Sequence, residues 1–511
     1  MLGQTKQVQP KLFYTGVSLA DRIPATHLLR QIRDRVDFGF VRREVAHLYG
    51  RCGHESIDPI VLIKLMLVLF LEQVKSERAL MEQLPYRLDW LWFCEYDLDE
   101  EVPNHSVLSK ARRRWGREVF VKLFQQVLRQ CVAAGLVDGR LVHADGSVIG
   151  ANASMDRLQP DLQVVSETLY GQLDQSAETA PGEDQDRETS APTGKMISPT
   201  DGDARMTRKN GKTVLGYKEH RVVDDAHGII TATATTDAAV DESHMLTEVL
   251  DQHRENSGRV EQTVVADKGY GTREVYKAMH QRGVTPCIPH QKHGGTHGTF
   301  SSDRFRYDAE RDQYICPAGH ALKRKVPRRA RRNDTPVRYY ADEATCRACP
   351  LRRQCTKNSR GRTVTRDPDQ RYVEWADRCY SREHRRRLGR RRLYRAEGSF
   401  ADAAVNHGYK RSRWRGLWRQ DIQNLLIATV QNLRKLLKGP RRKTASATAA
   451  VAYARLAGNM GGSMLHQLAS YVRPRAKMDG SVLHQVVHLI YRAARRIDLQ
   501  LQRRVCMMPA R

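Results

Sequence analysis
Apolar residues recur at helical spacing through the first 135 positions, and the pattern turns to alternation after them. The densest run, "IVLIKLMLVLFL" from Ile60 to Leu71, is shorter than the roughly 20 residues a bilayer span needs, and Lys64 interrupts it. It reads as a buried helix. Asp58 and Pro59 mark its start: a capping side chain, then a proline where no N–H is missed. A second helix is expected from Ser76 and a third from about Ser106, where "NHSVLSKARRRWG" carries Arg112, Arg113 and Arg114. "REVFVKLFQQVLRQCVAAG" is amphipathic and stops at Gly135, a residue type that ends helices in the left-handed conformation. Residues 1–135 are expected to form an all-helical, DNA-binding domain with a basic rim.

"GRLVHADGSVIGA" (Gly139–Ala151) then reads as a strand. "VLGYKEHRVVDDAHGIITATATT" holds two β-rich runs around "DDAHG", a hairpin signal. "DESHMLTEVLDQHREN" returns to helical spacing at Met245, Leu246, Val249 and Leu250. "QTVVADKGYG" (Gln262–Gly271) predicts a strand, followed by a helix from Thr272 to about Arg282 and a short strand, "VTPCIP". Strand, hairpin, helix, strand, helix, strand describes an α/β class with a mixed sheet covered by helices. Two insertions are expected in a 136–438 domain. One spans about 161–206 and is rich in Ser, Thr, Pro, Gly, Asp and Glu; the other spans about 290–370. Residues 439–511 open on the linker-like "GPRRKTASATAA" and end in helical, basic segments.

The 511 residues carry a net charge of +28 and a pI near 9.9. Such an excess repels itself unless a polyanion shares the surface, which points to nucleic acid. Lys323, Arg324, Lys325, Arg328, Arg329, Arg331 and Arg332 form one cluster, and Arg385, Arg386, Arg387, Arg390, Arg391 and Arg392 another. Lys410, Arg411, Arg413 and Arg415 form a third, interleaved with Tyr409 and Trp414. Rings among cations can stack on unpaired bases; equally, the charges can be a solvated face with Trp414 in the core. The N-terminus lacks the apolar stretch of a signal peptide, and the ten cysteines are mostly scattered, which suits a reducing cytoplasm and no membrane.

Two aspartates stand where predicted strands could bring them together. Asp145 lies in the first strand and Asp267 closes the fourth. Singly, Asp145 could begin a turn with Gly146, and Asp267 could cap the helix after Gly271. If the strands are neighbours, both carboxylates reach one cleft, where they repel one another unless protonated or bridged by a cation. Hard oxygen ligands suit Mg²⁺ or Mn²⁺, and two such ions clamp both oxygens of a phosphodiester displacement. A third acid is expected after the second insertion, from Glu374, Glu383, Glu397 and Asp402. In that insertion, Cys316, Cys346, Cys349 and Cys355, with His320 as a spare, fit either a structural Zn²⁺ or reduced, unliganded thiols.

"LVHADGSVIGANAS", "VVADKGYG" and "AEGSFADAAVNHGYKRSRWRGL…QNLLIATVQNLRKLL" resemble the two aspartate strands and the glutamate helix of the DDE transposases of bacterial insertion sequences. "IDPIVLIKLMLVLFLEQVKSERALMEQL…PNHSVLSKARRR" resembles that family's N-terminal domain. The resemblance implies an RNase H-like core and a triad of Asp145, Asp267 and Glu397 on two Mg²⁺ or Mn²⁺ ions. It implies DNA partners, both element ends and target, and a homodimer assembled on paired ends. One signature departs: many relatives carry a Tyr, an Arg, the Glu and then a Lys at fixed spacing, whereas here Leu393 stands four residues before Glu397 and Ala404 seven after it. Arg392, Arg395 and Lys410 are the substitutes at hand, with Arg411, Arg413, Trp414 and Arg415 as further DNA contacts. A catalytically silent DNA-binding protein derived from a transposase, or a nuclease of the same fold, remain the alternatives.

Overall fold
The computed structural model of the chain describes residues 18–160, 196–290, 299–324 and 336–439, apart from residues 51, 53 and 210. The expected helical tail beyond 439 and the cations from Lys325 to Arg332 lie outside the described residues. No described helix is long and apolar enough to cross a membrane.

Local chemistry sets the helix ends. Helix α1 (Pro59–Leu71) begins where the Asp58 side chain accepts the Ile60 N–H. α2 (Ser106–Trp115) stops at Gly116, at φ +67°. α3 (Glu118–Ala133) stops at Gly135, at φ +75°, where the Gly135 and Leu136 N–H groups turn back onto Val132 and Cys131. Ile63, Phe70, Phe120 and Leu128 pack in one cluster with Ile149 and Val223 from the sheet.

The main sheet comprises β1 (Leu141–Gly150), β2 (Arg205–Lys209), β3 (Lys212–Asp224), β4 (Ile230–Asp237), β5 (Thr263–Val265) and β6 (Thr285–Cys287). β3 lies antiparallel between β1 on one side and β2 and β4, end to end, on the other; β5 and β6 continue parallel beyond β1. Antiparallel β4–β3–β1 followed by parallel β5–β6 is an RNase H-like sheet. The end of the expected first insertion differs from the sequence reading. "RMTRK" at 205–209 has little apolar signal, yet the ladder edge of β3 recruits it as a strand, from Arg205 opposite Gly216 to Lys209 opposite Lys212.

At Gly216 of β3 the backbone of β1 lies close by. A Cβ there would sit 1.9 Å from the Ile149 carbonyl oxygen, so backbone rather than a side chain would have to yield. Gly216→Ala is expected to destabilise the chain by at least about 1–3 kcal/mol, read as a lower urea midpoint.

α4 (Glu242–Ser257) and α5 (Arg273–Gln281) cover one face, where Val142, Ala144, Val222 and Val264 meet Leu246, Val249, Val275 and Met279. After α5 and β6 come the second insertion and then α6 (Gln370–Arg378), α7 (Arg382–Arg392), α8 (Gly398–Asn406) and α9 (Leu417–Lys438). α9 is buried along most of its length, polar residues included. Buried amides need partners, and Asn424, Gln431 and Asn432 have them. Asn432 accepts the Ile230 N–H at 2.9 Å and donates to the Ile230 carbonyl at 2.7 Å, as a further strand would. Asn424 donates to Thr235 Oγ1 at 2.8 Å, and Gln431 to the Ser399 carbonyl at 2.8 Å. The helix therefore ties β4 to the segment that carries Glu397.

Candidate active site
In the parallel pairing of β1 with β5, Leu141, Val142 and His143 stand beside Thr263, Val264 and Val265. The same register carried two residues further sets Asp145 beside Asp267. Successive side chains in a strand alternate faces, so with Val142 and Ala144 in the core under α4, Asp145 turns to the opposite face. Asp145 is therefore no turn former; it sits inside β1, opposite Arg221 of β3. The Asp267 Oδ1 accepts the Gly269 N–H at 2.6 Å, capping the short turn Lys268–Tyr270.

Glu397 reaches the same cleft from the other side. α7 and α8 run into one another through a single π-helical turn, Leu393–Glu397, whose Gly398 N–H reaches back to the Leu393 carbonyl. The other candidate acids are occupied elsewhere or exposed. Glu374 is held by Nη1 and Nη2 of Arg366, at 2.5 and 3.0 Å. Asp402 accepts from Asn406 and Gln431, and Glu383 is exposed in the first turn of α7. Asp145, Asp267 and Glu397 together line an open cleft of about 730 Å³.

Glu242 lines it too, and sequence reasoning missed it. In the sequence it is an ordinary first-turn acid behind the Asp241 cap. Its access depends on Gly146: a Cβ at Gly146 would lie 2.7 Å from the Glu242 carboxyl carbon. Glu242 Oε1 is 3.9 Å from Lys218 Nζ. Arg392 spans the cleft, with Nη1 3.3 Å from Asp145 Oδ1 and Nη2 2.8 Å from Glu397 Oε1.

Burial lifts the Asp145 carboxyl to about 7; Arg392 draws it back, while Glu242, Asp267 and Glu397 push it further up. Burial, and then the charge of Asp267, also raises Glu242 against the pull of Lys218. A carboxyl raised in the fold costs stability once ionised. That cost is absent near the ordinary value of 3.8, grows as pH rises, and is complete above about 7. Asp145→Asn is thus expected to melt above the wild-type chain at pH 8 without divalent ions, by on the order of 1–4 kcal/mol, and to match it near pH 4. Melting curves in chelator at the two pH values check this.

The donors around the cleft are carboxylate oxygens, the set a hard divalent cation takes. Among the described residues, no three His, Cys, Asp or Glu side chains already form a metal-holding group. That holds equally for Cys316, Cys346, Cys349 and Cys355, which line a separate pocket of about 170 Å³.

The remaining expected DNA contacts fall into two sets. Lys410 lines the cleft, with Nζ 3.1 Å from Ser147 Oγ, and Arg411 and Arg415 are exposed nearby in the chain. Arg395 donates to the Ala226 carbonyl at 2.9 Å. Arg413 and Trp414 face α1 instead. The Arg413 guanidinium lies 4.6 Å from the Phe70 ring and donates to the Val74 carbonyl. The Trp414 ring meets Phe70 edge-on at 6.0 Å and has Arg112 over it at 3.8 Å. On α7, Arg386, Arg387 and Arg390 are exposed, whereas Arg391 pairs with Asp225.

Two family descriptions match the chain: "Transposase domain (DUF772)" over residues 17–114 and "Transposase DDE domain" over 315–437. The second includes Glu397 and the cysteines; Asp145 and Asp267 lie between the two stretches. No curated protein matches. Among solved structures, a piggyBac transposase synaptic complex with hairpin DNA is 10% identical over 93% of this chain and 90% of that one, with a TM-score of 0.30. A pre-cleavage Mos1 transpososome is 10% identical over 47% of this chain and 60% of its own, at 0.15. A Mos1 mariner paired end complex with Mn is 12% identical over 54% and 75%, at 0.14. Scores that low bear no weight beside the strand order and the two family matches. Transposase family descriptions thus match separate stretches at either side of an RNase H-like sheet, and together they support a DDE transposase.

Proposed function
We propose that the chain cuts DNA at the ends of its element and joins those ends to target DNA, with Asp145, Asp267 and Glu397 holding two Mg²⁺ or Mn²⁺ ions. What supports this reading is that Asp145, Asp267 and Glu397 line one cleft, the two aspartates lying two residues beyond the last recorded pair of the β1–β5 register. The donor set fits such ions: all are carboxylates, and burial, with the neighbouring acids, raises Asp145. A bound ion pair supplies an activated water or 3′-hydroxyl nucleophile and steadies the leaving oxygen.

The chain's own residues do the positioning. β1 and β5 fix the two aspartates on rigid backbone, and the π turn aims Glu397 at them. Glu242 adds a fourth negative charge beside Asp267. Arg392 holds Asp145 and Glu397 across the cleft and must loosen its grip for cations to bind. Arg208, Lys209 and Lys410 line the mouth and suit the phosphates of a strand laid across it. Exposed arginines on α7 extend that surface, and two copies on paired ends complete the assembly.

The test is an assay of the purified full chain with Mg²⁺ and DNA carrying the element's terminal repeats. Nicks at the repeat boundary, followed by joined products, are expected. Cleavage without joining would make the chain a nuclease, and binding without cleavage a silent end-binding protein.

A further inference from the structure
The second insertion has little core for its size. Its strands, β7 (Arg306–Asp308), β8 (Gln313–Ile315), β9 (Ala321–Arg324), β10 (Val337–Ala341) and β11 (Thr363–Arg366), form an antiparallel sheet of their own. Among the described residues, its buried cluster is Phe305, Tyr314, Leu322, Tyr339, Cys355 and Val364. A module so poor in apolar contacts usually needs a disulfide or a metal to stay folded. The described cysteines are all free thiols.

Four of them face one pocket of about 170 Å³ at the end of this sheet. Cys316 opens the turn between β8 and β9, "CPAGH". There Gly319, at φ +85°, donates to the Cys316 carbonyl at 2.9 Å, and the His320 N–H points at Cys316 Sγ at 3.3 Å. Cys346 and Cys349 close a second turn after β10, with the Cys349 N–H 3.4 Å from the Cys346 carbonyl. Cys355 ends the short helix Arg352–Cys355 and is buried. Gly361, at φ +95°, lets the returning chain pass close by: a Cβ there would be 3.4 Å from Cys346 Sγ.

We propose that Cys316, Cys346, Cys349 and Cys355 hold one structural Zn²⁺, which staples the β8–β9 turn to the segment after β10. Two turns and a helix end deliver four thiolates to one pocket, the ligand number of a closed tetrahedral site. The side chains are not drawn together as a coordinating group without the ion; binding turns them inward, and its free energy becomes folding free energy of the insertion. The proposal is independent of the DNA-cutting reading.

Metal analysis of the purified full chain is expected to find about one zinc per chain. Exchange for Co²⁺ should give an intense thiolate-to-metal absorption in the near ultraviolet, which the carboxylate cleft cannot produce. Cys346→Ser with Cys349→Ser should lose both the zinc and the band. His320→Ala should keep both; a band altered in that variant would exclude an all-thiolate site. If the double variant does not fold, the wild-type chain decides by thiol titration: the four cysteines should react only after chelation. A folded wild-type chain with no zinc, no cobalt band and freely reactive thiols in the insertion overturns the proposal.

Discussion

Asp267→Asn is expected to lower Mg²⁺-dependent strand cleavage by roughly 10³-fold or more while leaving binding to element ends largely intact. The change is almost isosteric. The asparagine can still accept the Gly269 N–H, as the aspartate Oδ1 does, so the turn after β5 keeps its cap. What disappears is a negative charge on the cleft, and with it a ligand. Glu397→Gln should behave alike, since Glu397 is half-exposed and, among the described residues, pairs with Arg392. The check is cleavage and end binding measured side by side on one preparation. Full cleavage by either variant would remove that residue from the triad. A variant that lost binding as well as cleavage would point to damage of the fold instead.

Arg221→Met should be the costliest single substitution to stability, at about 3–5 kcal/mol. Arg221 and Glu219 are both fully buried in β3, with Arg221 Nε 2.6 Å from Glu219 Oε1. Removing the cation strands an ionised carboxylate where water cannot reach it. Arg221 also donates to Gln431 Oε1 at 3.0 Å and to Ser399 Oγ at 3.3 Å, with its guanidinium 4.5 Å from the Phe400 ring. Those partners lie in α9 and at the start of α8, just past Glu397. The variant is thus expected to lose cleavage beyond what its lower urea midpoint alone would cause. Changing Glu219 to Leu in the same chain should recover much of the lost stability, because the stranded charge goes with it. If the double variant is as unstable as the single one, packing rather than charge explains the loss.

What the sequence disclosed was mostly local. Asp58–Pro59 and Gly135 bound helices through their own side chains and backbone, so their positions could be read directly. Asp145 and Asp267 stood out in the sequence because each interrupts or closes an apolar strand pattern, and both line the cleft beside the parallel pair β1–β5. Glu242 was not legible, because its place in the cleft follows from an absent side chain at Gly146, far away in the chain. Arg392 read as a phosphate contact among other arginines; its two carboxylate partners come from β1 and the π turn. Trp414 left two readings open, and its ring packs between Phe70 and Arg112. The strand at 205–209 has no apolar alternation to betray it and owes its existence to the free edge of β3.

The π turn before α8 has a consequence for changes in chain length. A π turn holds one residue more than an α-helical turn, the form a one-residue insertion into a helix takes. Removing one residue between Leu393 and Glu397 would heal the helix into a regular spiral and leave both flanking segments good helix formers. It would also swing everything on one side by about 100° relative to the other. Glu397 would then face away from Asp145, and Ser399 would leave its buried partners Arg221 and Gln431, so a one-residue deletion here reaches both the cleft and the core.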